Sequence, residues 1–376
     1  MKKTVFKAAG AALMTAASLP ALAGAKIEIG DESWVSVGAG LRTAFTAVED
    51  GAPSGDDWST DFDVQSIRLY FTGQITDKIG ITFNTEEIYG DGPVDTLDVI
   101  ARFEFSKAFN VWMGRMLTPA DRIEMNGPYY GVSWNQYTQP LYPSDQDGTA
   151  GTYGRDDGLT VWGSLGKFQY AVGAFEGVDG KSNQEDNLLY AARVAFHLLA
   201  MENSPAYYTS STYFGSLGNI LTFAASAQTQ DGGTGSELES GDFTGFTLEV
   251  FSETAFGGGA VLNIEAEYKE FEADYSIGSP AAGDCFCLFD GESWFGTAAF
   301  LLPGKIGPGQ LQPYLRYVEN SPSDGDDSDL TEIGLNYWIS GYNARVNVNY
   351  GSGDANISGY KGADVDAFSV GVQLQI

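Results

Sequence analysis

The sequence predicts an all-β protein, a transmembrane antiparallel β-barrel of about 16 strands with a long third external loop folded inward. Three observations predict it. From Trp34 onward, segments of 8 to 14 residues alternate apolar and polar side chains and are separated by turns. A period of two puts successive side chains on opposite faces, so one face can meet hydrocarbon while the other meets water. After residue 25 no run approaches the ~18 consecutive apolar residues of a membrane-crossing helix. The chain also holds 48 Gly, 20 Tyr and 23 Phe, with little Ala-Glu-Leu-Lys patterning, a composition suited to a large antiparallel barrel.

The chain opens on Lys2, Lys3 and Lys7, continues through the 12-residue apolar run 8–19 and reaches the small residues Ala21, Ala23, Gly24 and Ala25. That is the layout of a signal peptide, and the run is too short for a helix needing ~20 residues to span. Residues 1–25 are therefore expected to direct export through the Sec pathway, with cleavage after Ala23 or Ala25, and 26–376 to form the barrel.

Alternating segments fall near 34–47, 62–75, 79–88, 96–105, 109–117, 156–164, 168–176, 187–198, 219–229, 243–253, 259–271, 293–302, 310–318, 330–339, 344–350 and 366–376. In the first, Val35, Val37, Ala39 and Leu41 share the lipid phase, while Ser36, Gly38, Gly40 and Arg42 share the other. In the second, Ile67, Leu69 and Phe71 alternate with Ser66, Arg68, Tyr70 and Thr72. Barrels of 16 to 18 strands leave an aqueous channel, whereas eight-stranded ones fill with side chains. Pairing of the last segment with the first closes the ring, and Val370, Val372, Leu374 and Ile376 mark its lipid face.

Connections after even-numbered segments are mostly tight, such as Thr76-Asp77-Lys78, and those after odd-numbered ones are longer, which places the long loops outside the cell. Residues 199–218 break this pattern, as either an extended turn or a missed strand pair. Acidic residues crowd the long loops, as at Asp324, Asp326, Asp327 and Asp329, where they either bind divalent cations shared with lipopolysaccharide or form a solvated rim. The formal charge of −30 becomes −33 once Lys2, Lys3 and Lys7 leave with the signal, which excludes a nucleic-acid partner.

No catalytic, metal or cofactor site is expected. Cys285 and Cys287 are the only cysteines, too few for a zinc site, and either staple a loop or stand as surface thiols. His197 is the only histidine and has no adjacent Ser or Cys. Arginine is more informative. Of nine, Arg42, Arg68, Arg102, Arg193, Arg316 and Arg345 fall on the water phase, all but Arg193 on one arc across the closure seam. Glu249, Glu265 and Glu267 lie roughly opposite, so a basic wall is expected to face an acidic one. Arg115 falls on the lipid phase of its segment, where either the parity slips or the residue sits at the outer rim.

Residues 118–155 form a 38-residue connection carrying Tyr129, Tyr130, Trp134, Tyr137 and Tyr142, a density that suits packing on the inner wall. An external cap is the alternative. Its charges are Asp121, Arg122, Glu124, Asp145, Asp147 and Arg155, net −2, and across a narrow gap from the arginines they would set a transverse field.

These features resemble the phosphate-selective porin O and P family. The similar stretches are Ile67-Arg68-Leu69 leading to Gly73, Gly114-Arg115 followed by Pro119, Gly154 to Leu159, Arg193 with its alternating neighbours, and Gly334 to Tyr337 through Tyr350. The resemblance implies a homotrimer, a constricting third external loop, and anion passage helped by the six inward arginines. The expected function is a diffusion channel for small hydrophilic solutes and ions, including anions such as phosphate, in contact with outer-membrane lipid and lipopolysaccharide. A structural or adhesive barrel, or a sheath for a partner protein, is the alternative.

Overall fold

Strands within hydrocarbon must bond every main-chain N–H and C=O, and a sheet does so only by closing on itself. The computed structural model describes residues 25–87, 92–144, 154–203, 206–279 and 283–376, and over these the sheet closes. Residues 1–24, nearly all of the expected signal peptide, lie outside the described residues, as do Asp145 and Asp147 of the long loop.

A short strand β1 (Ala25–Glu28) precedes sixteen barrel strands. They are β2 (Trp34–Val48), β3 (Ser59–Gln74), β4 (Ile79–Glu87), β5 (Asp95–Glu104), β6 (Asn110–Leu117), β7 (Arg155–Leu165), β8 (Phe168–Phe175) and β9 (Leu189–His197). The second half holds β10 (Ile220–Gly235), β11 (Ser240–Ala255), β12 (Val261–Ala273), β13 (Gly291–Leu301), β14 (Gln310–Pro322), β15 (Ser328–Trp338), β16 (Ala344–Gly353) and β17 (Val365–Gln375). Each pairs antiparallel with the next, and β17 returns to β2.

The closing edge is covered by two separate segments. β17 pairs with β2 from Val48 down to Gly40, and Ile376 then exchanges main-chain hydrogen bonds of 2.9 and 3.0 Å with Ala39. Beyond that point β1 takes over, pairing Ala25 to Glu28 with Val37 to Trp34. β1 thus covers the stretch of β2 that lies beyond its pairing with β17.

The alternation places side chains as the sequence predicts. Leu69, Phe71, Ile81, Phe83, Val172, Leu248 and Leu315 are exposed on the outer face, while Ser66, Arg68, Thr222, Ser226 and Asn347 are buried on the enclosed face. Outer aromatics gather toward both rims. Phe105 stacks on Phe109 at 5.9 Å beside the short turns, and Trp294 meets Tyr317 at 5.2 Å beside the long loops. Amphipathic rings at two levels flanking an apolar band are the pattern of a barrel in a bilayer. Among the described residues no helix is long and apolar enough to cross a membrane.

Two irregular points are now placed. Arg115 keeps the outer phase of β6 but pairs with Asp157 at 2.8 Å close to the long-loop rim. Cys285 and Cys287 are joined in a disulfide within the connection between β12 and β13.

The outer face gives a direct check on the fold. Leu248 sits midway along β11, so Leu248→Arg should cost about 2–4 kcal/mol of stability in reversible urea unfolding from lipid bilayers, as expected for a charge at the bilayer midplane. A change below ~1 kcal/mol would place Leu248 outside the hydrocarbon band.

Candidate functional site on the enclosed face

Irregular main chain inside a barrel has no strand to pair with, and its carbonyls need other donors. Segment 118–144, which leaves β6, meets this requirement through the wall. It opens with a single helical turn α1 (Arg122–Asn126), capped by Asp121 accepting from the Glu124 amide at 3.0 Å and ended by Gly127. Beyond it, wall side chains donate to one carbonyl after another. Arg345 Nη1 reaches Gly131 O at 2.7 Å, and Arg42 Nη2 reaches Trp134 O at 2.9 Å. Arg316 takes Asn135 O and Gln136 O at 2.8 and 2.9 Å. Asn336 donates to Val132 O and Gln373 to Tyr129 O, and Lys269 donates to Pro140 O at 2.8 Å.

The aromatic side chains of the segment are seated by the same wall. Trp134 lies between two guanidinium groups, 4.1 Å from Arg42 and 5.1 Å from Arg345, and Tyr129 lies 4.6 Å from Arg68. Desolvated cation–π contacts of this kind contribute about 2 kcal/mol each. Inward glycines leave the necessary room. A Cβ at Gly371 would sit 2.3 Å from the Trp134 ring, and one at Gly245 would sit 2.6 Å from Tyr142.

Ion pairs occupy most of the remaining charges. Arg68 holds Glu86 through two hydrogen bonds of 2.7 and 2.9 Å across β3 and β4. Arg122 is gripped from two sides, by Glu202 at 2.6 Å and by Glu249 at 3.3 Å, with Phe251 4.3 Å beneath it. Glu249 also takes Arg193 at 2.8 Å, and Lys269 joins Asp121 at 2.5 Å and Glu267 at 3.5 Å. Arg155 lies 3.4 Å from Asp98. Removing one partner of such a buried pair costs about 3–5 kcal/mol, because the other charge is left desolvated.

Two carboxyls in the connections respond in opposite directions. Burial raises Glu124, and neighbouring Asp121 pushes it further above the usual carboxylate range. Burial opposes ionisation of Glu202 as well, but Arg122 outweighs it and holds the carboxyl below that range.

The expected site residues are thus distributed unevenly. Arg42, Arg316 and Arg345 converge on segment 128–136, and Arg68 joins them through Tyr129. Arg102 stands apart near the short-turn end, bonded to Gly73 O at 3.1 Å and 3.3 Å from Glu104. Tyr130 packs on Tyr342 at 5.1 Å. Glu265 and Glu267 are buried on β12. Glu249, expected on an acidic wall, pairs with Arg193 and Arg122 beside it. The reason is register: β9 and β11 flank β10, which brings Arg193 and Glu249 level with Ser226 and Ala224.

Four ion-pair partners escaped the sequence reading, namely Lys269, Glu86, Asp98 and Glu202. Lys269 carried a visible signal, since it shares the phase of Glu265 and Glu267. His197 Nδ1 lies 2.9 Å from the hydroxyl of Thr222 and 4.0 Å from Glu202. Among the described residues no group of three His, Cys, Asp or Glu is placed to hold a metal ion.

The bolted segment yields a prediction. Arg345→Gln removes charge-assisted bonds worth about 1.5–3 kcal/mol each, and the release should speed proteinase K cleavage within 118–154 by on the order of tenfold or more. An unchanged cleavage rate would mean that Arg345 does not hold the segment.

No family model matches the sequence, and no curated protein matches it. Solved structures do match. An anion-selective porin from Comamonas acidovorans aligns with a TM-score of 0.60 at 15% identity, over 92% of this chain and 100% of that one. OmpF of Salmonella typhi, in complex with daunomycin, aligns at 0.58 and 14% identity over 94% of this chain and all of its own. The outer membrane channel DcaP of Acinetobacter baumannii gives 0.57 and 14% over the same shares. At such identities the likeness concerns the fold, and this chain has the closed sixteen-stranded fold of those barrels.

Proposed function

We propose that the protein is an outer-membrane porin, a water-filled diffusion channel for small hydrophilic solutes and ions. One observation carries the reading: on β3 to β5 the enclosed face keeps a strip of polar side chains only half buried, Tyr70, Thr72, Gln74, Thr82, Asn84, Arg102 and Glu104. A sealed structural barrel would fill that strip with packed side chains, and a lumen lined by such groups is what a hydrated path requires. Segment 118–144 narrows the path from the opposite side. Export through the Sec pathway and outer-membrane lipid and lipopolysaccharide as surroundings complete the proposal. A homotrimer is part of it too, supported by a fold shared with an outer membrane protein of Vibrio cholerae in trimer form, TM-score 0.56.

The selectivity we propose is weak. Arg42, Arg316 and Arg345 spend their donors on carbonyls of the loop, and Arg68 and Arg193 are paired with carboxylates. Little positive charge is left to capture an anion, so phosphate would pass as one small ion among others, without a dedicated site.

Purified folded protein in planar bilayers should give stepwise conductance, and its absence would refute the channel in favour of a structural barrel or a sheath. Under a salt gradient, inorganic phosphate up to tens of millimolar should leave the chloride current unblocked, consistent with guanidinium groups already engaged. Saturable block would instead reveal a phosphate site.

A further inference from the structure

The connection between β9 and β10 lies at the short-turn end, where the turn between β7 and β8 needs only two residues. Residues 199–218 are, from the sequence, an extended turn or a missed strand pair; their described part, 199–203 and 206–218, forms neither a strand pair nor an outward turn. Tyr207, Thr209, Ser210, Ser211 and Thr212 are buried on the enclosed face.

The segment crosses the lumen from wall to wall. At one side Tyr207 packs 5.7 Å from Trp112 and donates to Leu117 O at 2.6 Å, while Gln169 of β8 donates to Ala206 O at 3.0 Å. At the other side Glu253 of β11 accepts from Thr212 Oγ1, Tyr213 N and Gly215 N at 2.9, 2.7 and 2.9 Å. Beyond it Phe214 meets Trp338 at 5.2 Å. A buried carboxylate with three donors from one connection is a built anchor, since without them its desolvation would be uncompensated.

Midway, the segment is joined to the loop from β6. Ser211 N donates to Tyr130 O at 3.0 Å and Thr209 N to Met125 O at 3.3 Å. Asn126 Nδ2 donates to Ser211 Oγ at 2.9 Å, and Arg122 closes on Glu202. Loop and connection therefore form one polar layer that reaches β6 and β8 on one side and β11, β14 and β16 on the other, with Tyr129 touching Arg68 of β3 at its margin, and the half-buried strip of Thr72, Gln74, Thr82 and Asn84 lies beside it.

We propose that residues 206–218 are a strap forming the short-turn half of the constriction, that it confines the water path to one side of the lumen, and that Arg122 and Glu202 position it to set the size limit for solutes. This rests on the channel reading above. The neighbours of the strap make it a specificity determinant contributed by a turn rather than by the external loop.

The test compares single-channel conductance and exclusion of graded polyethylene glycols in three proteins. Replacing residues 201–218 by a short Gly-Ser linker should raise conductance roughly twofold or more and admit larger polymers, as a wider aqueous cross-section requires. Glu202→Gln should raise both to a smaller degree, and an oxidised Asn126→Cys, Ser211→Cys cross-link added to it should restore the wild-type values. A folded strap variant with wild-type conductance and polymer cut-off would overturn the proposal. If that variant does not fold, an unchanged Glu202→Gln channel overturns it equally. A silent wild-type protein overturns the channel reading instead, with the yield of the Asn126–Ser211 cross-link still reporting whether strap and loop touch.

Discussion

The structure depends on one constraint, that no main-chain hydrogen-bonding group can be left unpaired in hydrocarbon. It forces the sheet to close, and closure is achieved by β17 and β1 sharing the edge of β2. Closure in turn makes one face a lipid surface and the other an enclosed space, so the period of two in the sequence becomes a division between apolar and polar environments. The same constraint then governs irregular main chain that meets the enclosed face. Segment 118–144 brings carbonyls with no strand beside them, and Arg42, Arg316, Arg345, Asn336 and Lys269 supply the donors.

This changes the meaning of the arginines. Guanidinium groups on an inner wall suggest attraction of anions, yet here they act first as fasteners for irregular main chain. Arginine suits that task because it stays charged, presents several donors in a plane and stacks on rings such as Trp134. On the proposed channel reading, a wall that spends its positive charge on its own loop would be a weak anion trap.

Much of the fold was legible in the sequence. The sixteen alternating segments correspond to β2 through β17, with ends displaced by a few residues, because two-sided burial writes a period that no other element imitates. The short β1 was missed, since four residues are too few to show a period. Partners were far less legible. The pairing of Arg68 with Glu86 depends on the register of β3 against β4, and that of Arg122 with Glu202 depends on the paths of two connections. Neither is encoded in spacing along the chain. The connection between β9 and β10 was visible only as an excess of length, although Tyr207, Tyr208, Tyr213 and Phe214 gave it the aromatic density on which the loop from β6 was expected to fold inward.

The central claim is a hydrated path through the barrel, narrowed but not closed by main chain bolted to its wall. Swelling of liposomes containing the purified protein, in a graded series of uncharged sugars, tests it most directly. The account predicts rapid entry of the smallest sugars and a steep fall in rate with solute size. Swelling no faster than in protein-free liposomes for the smallest solute would contradict it.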